Sequence, residues 1–297
     1  MFEIMKHYPK FMALSGLIII VGIVMLFACG GFVTDIDFSG GTMIKLDMGK
    51  EFDTDLLKSV VKDSTGENAT VQASMDAGNY EATIKVANLD AEERSNLLKA
   101  IEEEFSLSGE YMLENETITP LVSSEIIYNA LLSVIIASIL ILIYVAIRFA
   151  FAPALAAIIS LINSVLIMIA FYAIFRVPVN GSFIAALLTI IGYAINDTIV
   201  TFDRIRENKR FAKKETFKET CEKSIRQTLK RTINTSLTTV FALVCLAILG
   251  DSSIREFAIP LIVGVVSGTF SSIFIATPMW YLIDGGKGRT VNKKKKA

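Results

Sequence analysis

The stretch "IGYAINDTIVTFDRIRE", residues 191–207, combines the pattern of a membrane helix with a carboxylate inside it. Asp197 stands between Asn196 and Thr198 in an apolar segment, and further charged residues follow only from Asp203 onwards. A charge that faces hydrocarbon is costly, so ionisable groups inside a span normally face protein or a water-filled cavity. The stretch therefore predicts a transmembrane helix whose carboxylate points into the protein.

Long apolar runs elsewhere define the fold around this helix. Hydrophobic residues make up 53% of the 297 residues, and the mean hydropathy is +0.54. A run of about 18 or more apolar residues is long enough to cross a bilayer as a helix. The sequence predicts an α-helical polytopic membrane protein with six transmembrane helices, at residues 11–32, 124–147, 153–175, 182–203, 232–250 and 256–283.

Lysine and arginine placement predicts the orientation. Residues 1–32 hold a basic stub and the first span, 123–283 the other spans with a basic loop at 204–231, and 284–297 a basic tail. If the N-terminus is cytoplasmic, 20 of the 29 Lys and Arg residues lie on the cytoplasmic side. Because cytoplasmic loops of membrane proteins are enriched in these residues, both termini are predicted to be cytoplasmic.

The segment 33–122 is a polar island between the first two spans, with 19 acidic and 7 basic side chains. Strand and helix patterns alternate along it in the order βαββαβ, which is the ferredoxin-like arrangement. A turn at Ala77-Gly78-Asn79 separates the two central strands, and Asp90 with Glu93 forms a capping-box pattern at the second helix. The segment is predicted to be an extracytoplasmic α+β domain.

Polar side chains line one face of the fourth span and one face of the fifth. Helix geometry places positions spaced by three or four residues on the same face. On the fourth span the face comprises Thr189, Tyr193, Asp197 and Thr201, with Asn196 and Thr198 beside it. On the fifth span it comprises Arg231, Asn234, Thr235 and Thr238. The two faces are predicted to turn towards each other and away from lipid.

The depth of Asp197 is consistent with a role in ion exchange. It lies roughly 9 Å below the end of its span at Asp203, at 1.5 Å per residue. Arg231 lies near the same boundary on the next helix. Desolvation disfavours a charged carboxylate and a nearby arginine favours it, so such a group can take up and release a proton near neutral pH. A structural Asp–Arg pair and a local water pocket remain the alternatives.

No constellation in the sequence indicates an enzyme. His7 is the only histidine, and Cys29, Cys221 and Cys245 have no metal-ligand spacing. A nucleophile–base pair and a phosphate loop are also missing from the sequence. We predict no catalytic residues, no metal and no cofactor. Cytoplasmic position and anionic lipid explain the basic loop 204–231 and the tail more simply than nucleic acid does.

Small residues of the sixth span predict close helix packing. Gly264 and Gly268 are four residues apart, with Ser267 and Ser271 beside them. Small residues at this spacing let neighbouring helix backbones approach closely in a membrane.

Four motifs together resemble the SecF family, the smaller half of the bacterial SecDF protein-export factor and a branch of the RND (resistance–nodulation–division) superfamily. The resemblance covers essentially the whole chain. The motifs are "GYAINDTIVTFDRIREN" (192–208), "GFVTDIDFSGGTMI" (31–44), "LKRTINTSLTT" (229–239) and "IVGVVSGTFSSIFIATP" (262–278).

This resemblance implies a function in protein translocation. SecF pairs with SecD, also six-spanning, and the pair associates with the SecYEG channel and uses the proton motive force to promote translocation of secretory preproteins. YajC and YidC are further possible partners. The expected location is the bacterial cytoplasmic membrane. The one architectural departure is that many Gram-positive relatives fuse both halves, so a separate SecD would have to complete the proton path here.

The resemblance also assigns roles to residues. The family's proton-relay aspartate falls on Asp197 and its fifth-span arginine on Arg231. The polar neighbours Tyr193, Asn196, Thr198, Asn234 and Thr235 support that pair. Residues that match further family motifs are Asp37, Phe38, Gly40, Gly41, Asp203 and Arg204.

Two other functions stay open at this point. An RND-type exporter of small molecules or lipids usually carries two six-span halves and two large external domains, whereas this chain has one small domain. A non-transporting scaffold of the translocon would use Asp197 only for packing. The sequence does not reveal whether the coupling ion is H⁺ or Na⁺.

Overall fold

The computed structural model describes residues 3–76, 79–107, 109, 111–212, 215–250 and 252–285. The elements follow in the order α1 (Ile4–Ala28), α2 (Ile36–Ser39), β1 (Gly41–Asp47), α3 (Thr54–Thr65), β2 (Thr70–Asp76), β3 (Asn79–Val86), α4 (Ala91–Phe105), β4 (Met112–Ile118), α5 (Pro120–Arg148), α6 (Phe151–Phe175), α7 (Gly181–Phe211), α8 (Phe217–Leu249), α9 (Ser252–Ser271), a π-helical turn (Ser272–Ala276) and α10 (Thr277–Ile283).

The six predicted membrane helices are confirmed. By length and composition, α1, α5, α6, α7, α8 and the continuous stretch from α9 through α10 can each cross a membrane. The first of them begins at Ile4, seven residues before the apolar run at 11. The Glu222 carboxylate accepts hydrogen bonds from the backbone N–H groups of Ile4 and Met5, at 3.3 and 2.7 Å. These donors would otherwise be unpaired in the first turn, so the polar stub joins the helix.

The interpretation of residues 204–231 as a loop was wrong. Helix α7 continues to Phe211 and α8 begins at Phe217. Thr216 and Glu219 form a capping box at the start of α8. Lys, Arg, Glu and Gln favour helices, and the segment also has an apolar face. That face is buried against the end of the bundle and comprises Phe217, Cys221 and Ile225.

The segment between α1 and α5 contains a four-stranded antiparallel sheet with two helices, called here the α+β domain (residues 41–118). Its element order is the predicted βαββαβ, and the strands lie in the order β2-β3-β1-β4. The capping box of Asp90 and Glu93 is confirmed. The predicted turn at Ala77-Gly78 lies outside the described residues. Helices α3 and α4 cover one sheet face and bury Ile44, Leu46, Leu57, Ile84, Leu97 and Ile101.

Helix α9 packs closely on α7, as the small residues predict. A Cβ atom added at Gly264 would overlap the side chain of Ile190, and one at Gly268 would lie 3.1 Å from the Cβ of Ala194. The hydroxyl of Ser271 accepts a hydrogen bond of 2.8 Å from the Asn163 amide on α6. These contacts place α7 at the centre of the bundle, between α6, α8 and α9.

Candidate functional site: a polar seam between α7 and α8

Helices α7 and α8 run antiparallel and meet along an interface of polar side chains, called here the polar seam. The two helices are close in sequence, since α7 ends at Phe211 and α8 begins at Phe217. Three side-chain pairs join them at successive levels: Asn208 with Ser224 at 2.8 Å, Thr201 with Thr228 at 3.3 Å, and Tyr193 with Thr239 at 3.4 Å. Asp197 lies on α7 between the second and third of these levels.

The Asp197 side chain is buried and incompletely paired. Only 6% of the residue is exposed, and its Oδ2 atom has no hydrogen-bond partner among the described residues. The groups of α8 that act on it are the hydroxyl of Ser236 and the charge of Arg231. Ser236 is itself paired with Thr269 of α9 at 2.6 Å. The carboxylate therefore interacts with Ser236 of α8, while its Oδ2 atom has no hydrogen-bond partner among the described residues.

Further hydroxyl groups in the bundle are buried without a partner. Buried polar groups are normally hydrogen-bonded, to protein or to ordered water, so each exception calls for an explanation. Thr232, one helical turn from Ser236, is 2% exposed. Within the described part of the bundle, the unpaired oxygens besides Asp197 Oδ2 belong to Thr232, Ser272 and Thr277. Sites of this kind are where water or an exchanging ion finds polar partners.

The predicted face of the fifth span needs correction. Arg231, Asn234, Thr235 and Thr238 are all exposed on the chain's own surface rather than turned towards α7. The buried face of α8 comprises Ser224, Thr228, Thr232 and Ser236. Threonine occurs on both faces, so the rotation of α8 against α7 and α9, rather than side-chain size, decides which hydroxyl groups are buried.

The predicted residues on α7 separate in the same way. Thr198 is buried and its hydroxyl bonds the Ala194 carbonyl at 3.3 Å. Tyr193 is half-buried in the seam, whereas Asn196 is exposed. The exposed Asn196 and the exposed face of α8 together leave a polar surface at membrane depth.

Asp203 and Arg204 lie at the end of the seam near the α7–α8 connection. The Asp203 carboxylate pairs with Arg148, at the end of α5, at 2.5 Å. The Arg204 guanidinium donates to Gln227 of α8 at 2.7 Å and to Glu207 at 2.6 Å. Both residues therefore tie α7 to its neighbours, and neither contacts Asp197 in the contacts that the structure gives them.

The motif around residue 37 lies at the opposite end of α7. The Asp37 carboxylate accepts a 2.7 Å hydrogen bond from the backbone N–H of Gly181, the first residue of α7. An acidic group at this end satisfies a free N–H and interacts favourably with the helix dipole. The Phe38 ring packs against the buried cluster formed by α6, α7 and α9. This short segment thus fixes the start of the α+β domain on α7.

Gly40 and Gly41 have backbone conformations that other residues rarely adopt. Their φ angles are +75° and +154°. A Cβ atom at Gly41 would lie 2.6 Å from the Val86 carbonyl oxygen and 2.7 Å from the Ile36 side chain. Glycine is therefore required where the chain turns from α2 into β1.

The prediction missed the hydroxyl groups that form the buried face of α8. The residues at 224, 228, 232 and 236 are Ser or Thr spaced by four, which is a signal present in the sequence. The predicted face was centred on the charged Arg231, which lies one position from the buried Thr232. Among the described residues, no group of three or more His, Cys, Asp or Glu side chains is placed to hold a metal ion.

The fold and the site define a class: a six-span helical membrane protein with one α+β domain and a buried carboxylate between two central helices. A family model described as protein export membrane protein SecD/SecF, C-terminal, matches residues 99–285. The chain belongs to the SecF family of protein translocase subunits.

Relatives and solved structures support this assignment. The protein translocase subunit SecF of Sebaldella termitidis is 35% identical over 286 residues, which cover 95% of this chain and 91% of that protein. The subunit SecDF of Bacillus subtilis is 36% identical over 286 residues, but the match covers only 38% of its length. The crystal structure of SecDF from Thermus thermophilus, described as a translocon-associated membrane protein, superposes with a TM-score of 0.82 at 33% identity. That match covers 94% of this chain and 38% of the SecDF chain.

Proposed function

We propose that this protein is the F subunit of a SecDF complex and couples the proton motive force to translocation of secretory preproteins, with Asp197 as the proton carrier. The observation that carries the proposal is the buried Asp197 carboxylate inside a membrane helix bundle, with one oxygen that has no partner in the described part of the chain. Such residues mark ion pathways and proton relays in membrane proteins. The protein is not expected to be an enzyme.

Protonation of Asp197 changes the forces between α7 and α8. In the charged state, the carboxylate attracts Arg231 and accepts from Ser236. When a proton binds the carboxyl group, the attraction to Arg231 disappears and a new hydroxyl donor faces the seam. Asp203 and Arg204 hold the ends of the helices in place, so the change acts on the helix segment between them and Gly181.

The driving force is sufficient to bias such a change. Moving one proton across 100 mV supplies about 2.3 kcal/mol. Since each 1.4 kcal/mol is a factor of ten, this shifts a two-state equilibrium by roughly fiftyfold. Repeated exchange at Asp197 would then move the α+β domain, which is fastened to the first turn of α7 through Asp37.

The exposed polar surface supports the proposed partner. Polar groups facing lipid are unfavourable, so a second set of helices is expected to cover Asn196 and the outer face of α8. That face comprises Arg231, Asn234, Thr235 and Thr238. We assign this cover to SecD, with SecYEG as the channel, the preprotein as substrate and YajC and YidC as further partners. The expected location is the bacterial cytoplasmic membrane with both termini in the cytoplasm.

Inverted membrane vesicles that contain the full SecDF complex and SecYEG test the proposal. Translocation of a secretory preprotein is measured with and without a proton gradient, for wild type and Asp197→Asn. The matched control is Glu207→Gln, which removes a carboxylate from the same helix where its side chain is 55% exposed. We expect Asp197→Asn to abolish the gradient-dependent part, and Glu207→Gln to retain most of it.

Other outcomes select the alternatives. If Asp197→Asn assembles normally and gradient stimulation persists, Asp197 serves only in packing and the scaffold function is correct. If stimulation in wild type follows an imposed Na⁺ gradient and is indifferent to pH, the coupling ion is Na⁺. Loss of small-molecule or lipid export with unchanged translocation would favour an exporter.

A further inference from the structure

A buried ion cluster joins the α+β domain to the membrane bundle on the sheet face opposite α3 and α4. Its centre is Lys85 of β3, whose side chain is 10% exposed. The Lys85 ammonium lies 2.6 Å from the Asp35 carboxylate and 3.1 Å from the Glu256 carboxylate. Asp35 belongs to the connection from α1, and Glu256 lies near the start of α9. One side chain of the sheet thus contacts two separate parts of the membrane region.

The same cluster reaches the first turn of α7. The Asn180 amide donates a 2.6 Å hydrogen bond to Glu256, and its carbonyl oxygen accepts the N–H of Phe183 at 3.1 Å. Asn180 is therefore both the N-cap residue of α7 and a hydrogen-bond donor to the Glu256 carboxylate of the cluster. In addition, the Asp35 backbone N–H donates to the Val179 carbonyl, just before the helix, at 3.0 Å.

The charges of the cluster compensate one another. Burial lowers the pKa of Lys85, but the hydrogen bond to Asp35 and the charges of Glu256 and Asp35 outweigh this effect, so the net pKa is raised. Lys85 accordingly stays charged at physiological pH. Removing one member of such a cluster leaves a buried charge without compensation, whereas an intact cluster fixes one geometry.

We propose that Lys85 is a positioning residue that fastens the sheet of the α+β domain to α7 and α9, so that movements of α7 reach the domain. Asp37 holds the chain segment that precedes the sheet. Lys85 lies on the sheet itself and therefore sets the angle between the sheet and the helix bundle. The movement of α7 rests on the proposed function, whereas the attachment of the sheet to the bundle through Lys85 does not depend on it.

The experiment measures the distance from the domain to the membrane bundle in the full chain assembled with its partner in nanodiscs. Spin labels replace Glu92 on α4 and Phe175 at the end of α6, both of which are exposed. The exposed Cys29 and Cys245 are first changed to alanine. Distance distributions are recorded for wild type, Lys85→Met, Lys85→Arg and Lys58→Met. Lys58 is the matched control, because its ion pair with Asp55 lies on the domain surface.

We expect Lys85→Met to broaden or shift the distribution and to lower gradient-stimulated translocation several-fold. Lys58→Met should match wild type in both measurements. Lys85→Arg keeps the charge and should retain most of the narrow distribution. If Lys85→Met fails to assemble, Glu256→Gln provides the test, because it removes only one of the two contacts to the lysine. A distribution that is unchanged in Lys85→Met, or in Glu256→Gln where that variant stands in, overturns the proposal.

A second pair of variants separates this inference from the proposed function. Asp197→Asn is expected to shift the distance in the wild-type background, and the shift should vanish when Lys85→Met is added. If Asp197→Asn causes no shift while Lys85→Met still broadens the distribution, the fastening is correct and proton-driven movement is not. If Asp197→Asn shifts both backgrounds equally, movement reaches the domain without Lys85 and the positioning role is refuted.

Discussion

Two buried charged sites in this molecule are built in opposite ways. In the polar seam, Asp197 has one carboxylate oxygen without a partner among the described residues. At the junction with the α+β domain, the Lys85 ammonium contacts two carboxylates at 2.6 and 3.1 Å, and Asn180 bonds one of them. Both sites are shielded from water, with Asp197 6% exposed and the Lys85 side chain 10% exposed.

The difference agrees with the two proposed roles, in which the junction fixes the α+β domain and Asp197 exchanges a proton. A fully satisfied polar network is rigid and specifies one arrangement, whereas an unsatisfied buried group costs stability. A carboxylate that must bind and release a proton cannot have all its oxygens permanently occupied. We therefore expect substitutions at the junction to reduce stability, and neutralisation of Asp197 to remove function without reducing stability.

The largest loss of stability is expected for Lys85→Met. The buried Asp35 carboxylate and the partly exposed Glu256 carboxylate would lose their ion-pair partner, and breaking a buried pair costs about 3–5 kcal/mol. The apparent Tm in nanodiscs and the rate of proteolysis of the α+β domain measure the loss. Lys58→Met is the control, because its side chain is 46% exposed and water screens an exposed ion pair. Equal effects of the two changes would contradict a special role for the junction.

The two acids of the junction should differ from each other. Asp35 is 7% exposed and bonds Lys85 at the shorter distance, whereas the Glu256 side chain is 27% exposed. A hydrogen bond to a charged group contributes about 1.5–3 kcal/mol, and less where water reaches it. Asp35→Asn is thus expected to lower the Tm more than Glu256→Gln. The reverse order would show that the contact with α9, rather than the contact with the α1 connection, dominates the junction.

A change in stability of the opposite sign is expected for Asp197→Asn. An amide replaces a buried charge that is only partly compensated, so the free energy of unfolding should stay equal or rise, by on the order of 0–2 kcal/mol. The same Tm measurement in nanodiscs checks this, beside the translocation assay. A Tm that falls as far as in Lys85→Met would mean that Asp197 is a structural member of the seam.

A smaller change within the seam refines this contrast. Within the described ranges the buried hydroxyl of Thr232 has no partner, so Thr232→Val, which keeps the shape, should be neutral or stabilising by about 1 kcal/mol. Thr228 pairs with Thr201 across the seam, so Thr228→Val should be destabilising by a similar amount. Tm values of the two variants provide the comparison. If both lower the Tm equally, Thr232 has a partner that the protein chain alone does not supply.

The fold was predictable because hydrophobicity and caps act locally. The six spans follow from apolar length, and the βαββαβ order follows from periodicity, turn signals and the capping box of Asp90 and Glu93. The helical extensions into 204–231 were missed because the basic charge was given more weight than the capping pattern of Thr216 and Glu219 and the apolar positions 217, 221 and 225. The packing of Phe217 against Trp280, at 5.7 Å between ring centroids, could not be predicted from either signal.

The site was predictable in part for a similar reason. Asp197 is conspicuous since charge inside a span is rare. The partners of Lys85 are 50 and 171 residues away along the chain, so no local pattern connects them. The orientation of α8 depends on contacts with two neighbouring helices at once. The spacing of Ser and Thr at four residues would have indicated its buried face, but the charge of Arg231 is the stronger signal in the sequence.

The smallest expected effect is a pH dependence of the junction. The pKa of Lys85 is raised above its ordinary value of 10.5, because its two acidic partners outweigh the effect of burial. A group with a raised pKa in the folded state stabilises the fold fully below its unfolded pKa. That contribution is lost as the pH rises through the folded pKa. Stability from the junction should therefore be constant to about pH 10 and decline above 10.5. The charged groups facing the same cavity are Asp35, Asp37, Lys45, Glu114, Glu116 and Glu256.

Comparison with Lys85→Arg isolates this contribution from other groups that titrate at alkaline pH. Arginine stays protonated above pH 12, so the variant keeps its charge through the range in which lysine loses it. Plotted against pH from 9 to 11.5, the difference in Tm between wild type and Lys85→Arg should be flat at first and then move in favour of the variant. A difference that stays constant over the whole range would mean that Lys85 does not lose its proton before the domain unfolds, or that its charge contributes nothing to the junction. Lys85→Met distinguishes these cases, because loss of stability at neutral pH in that variant establishes that the charge contributes.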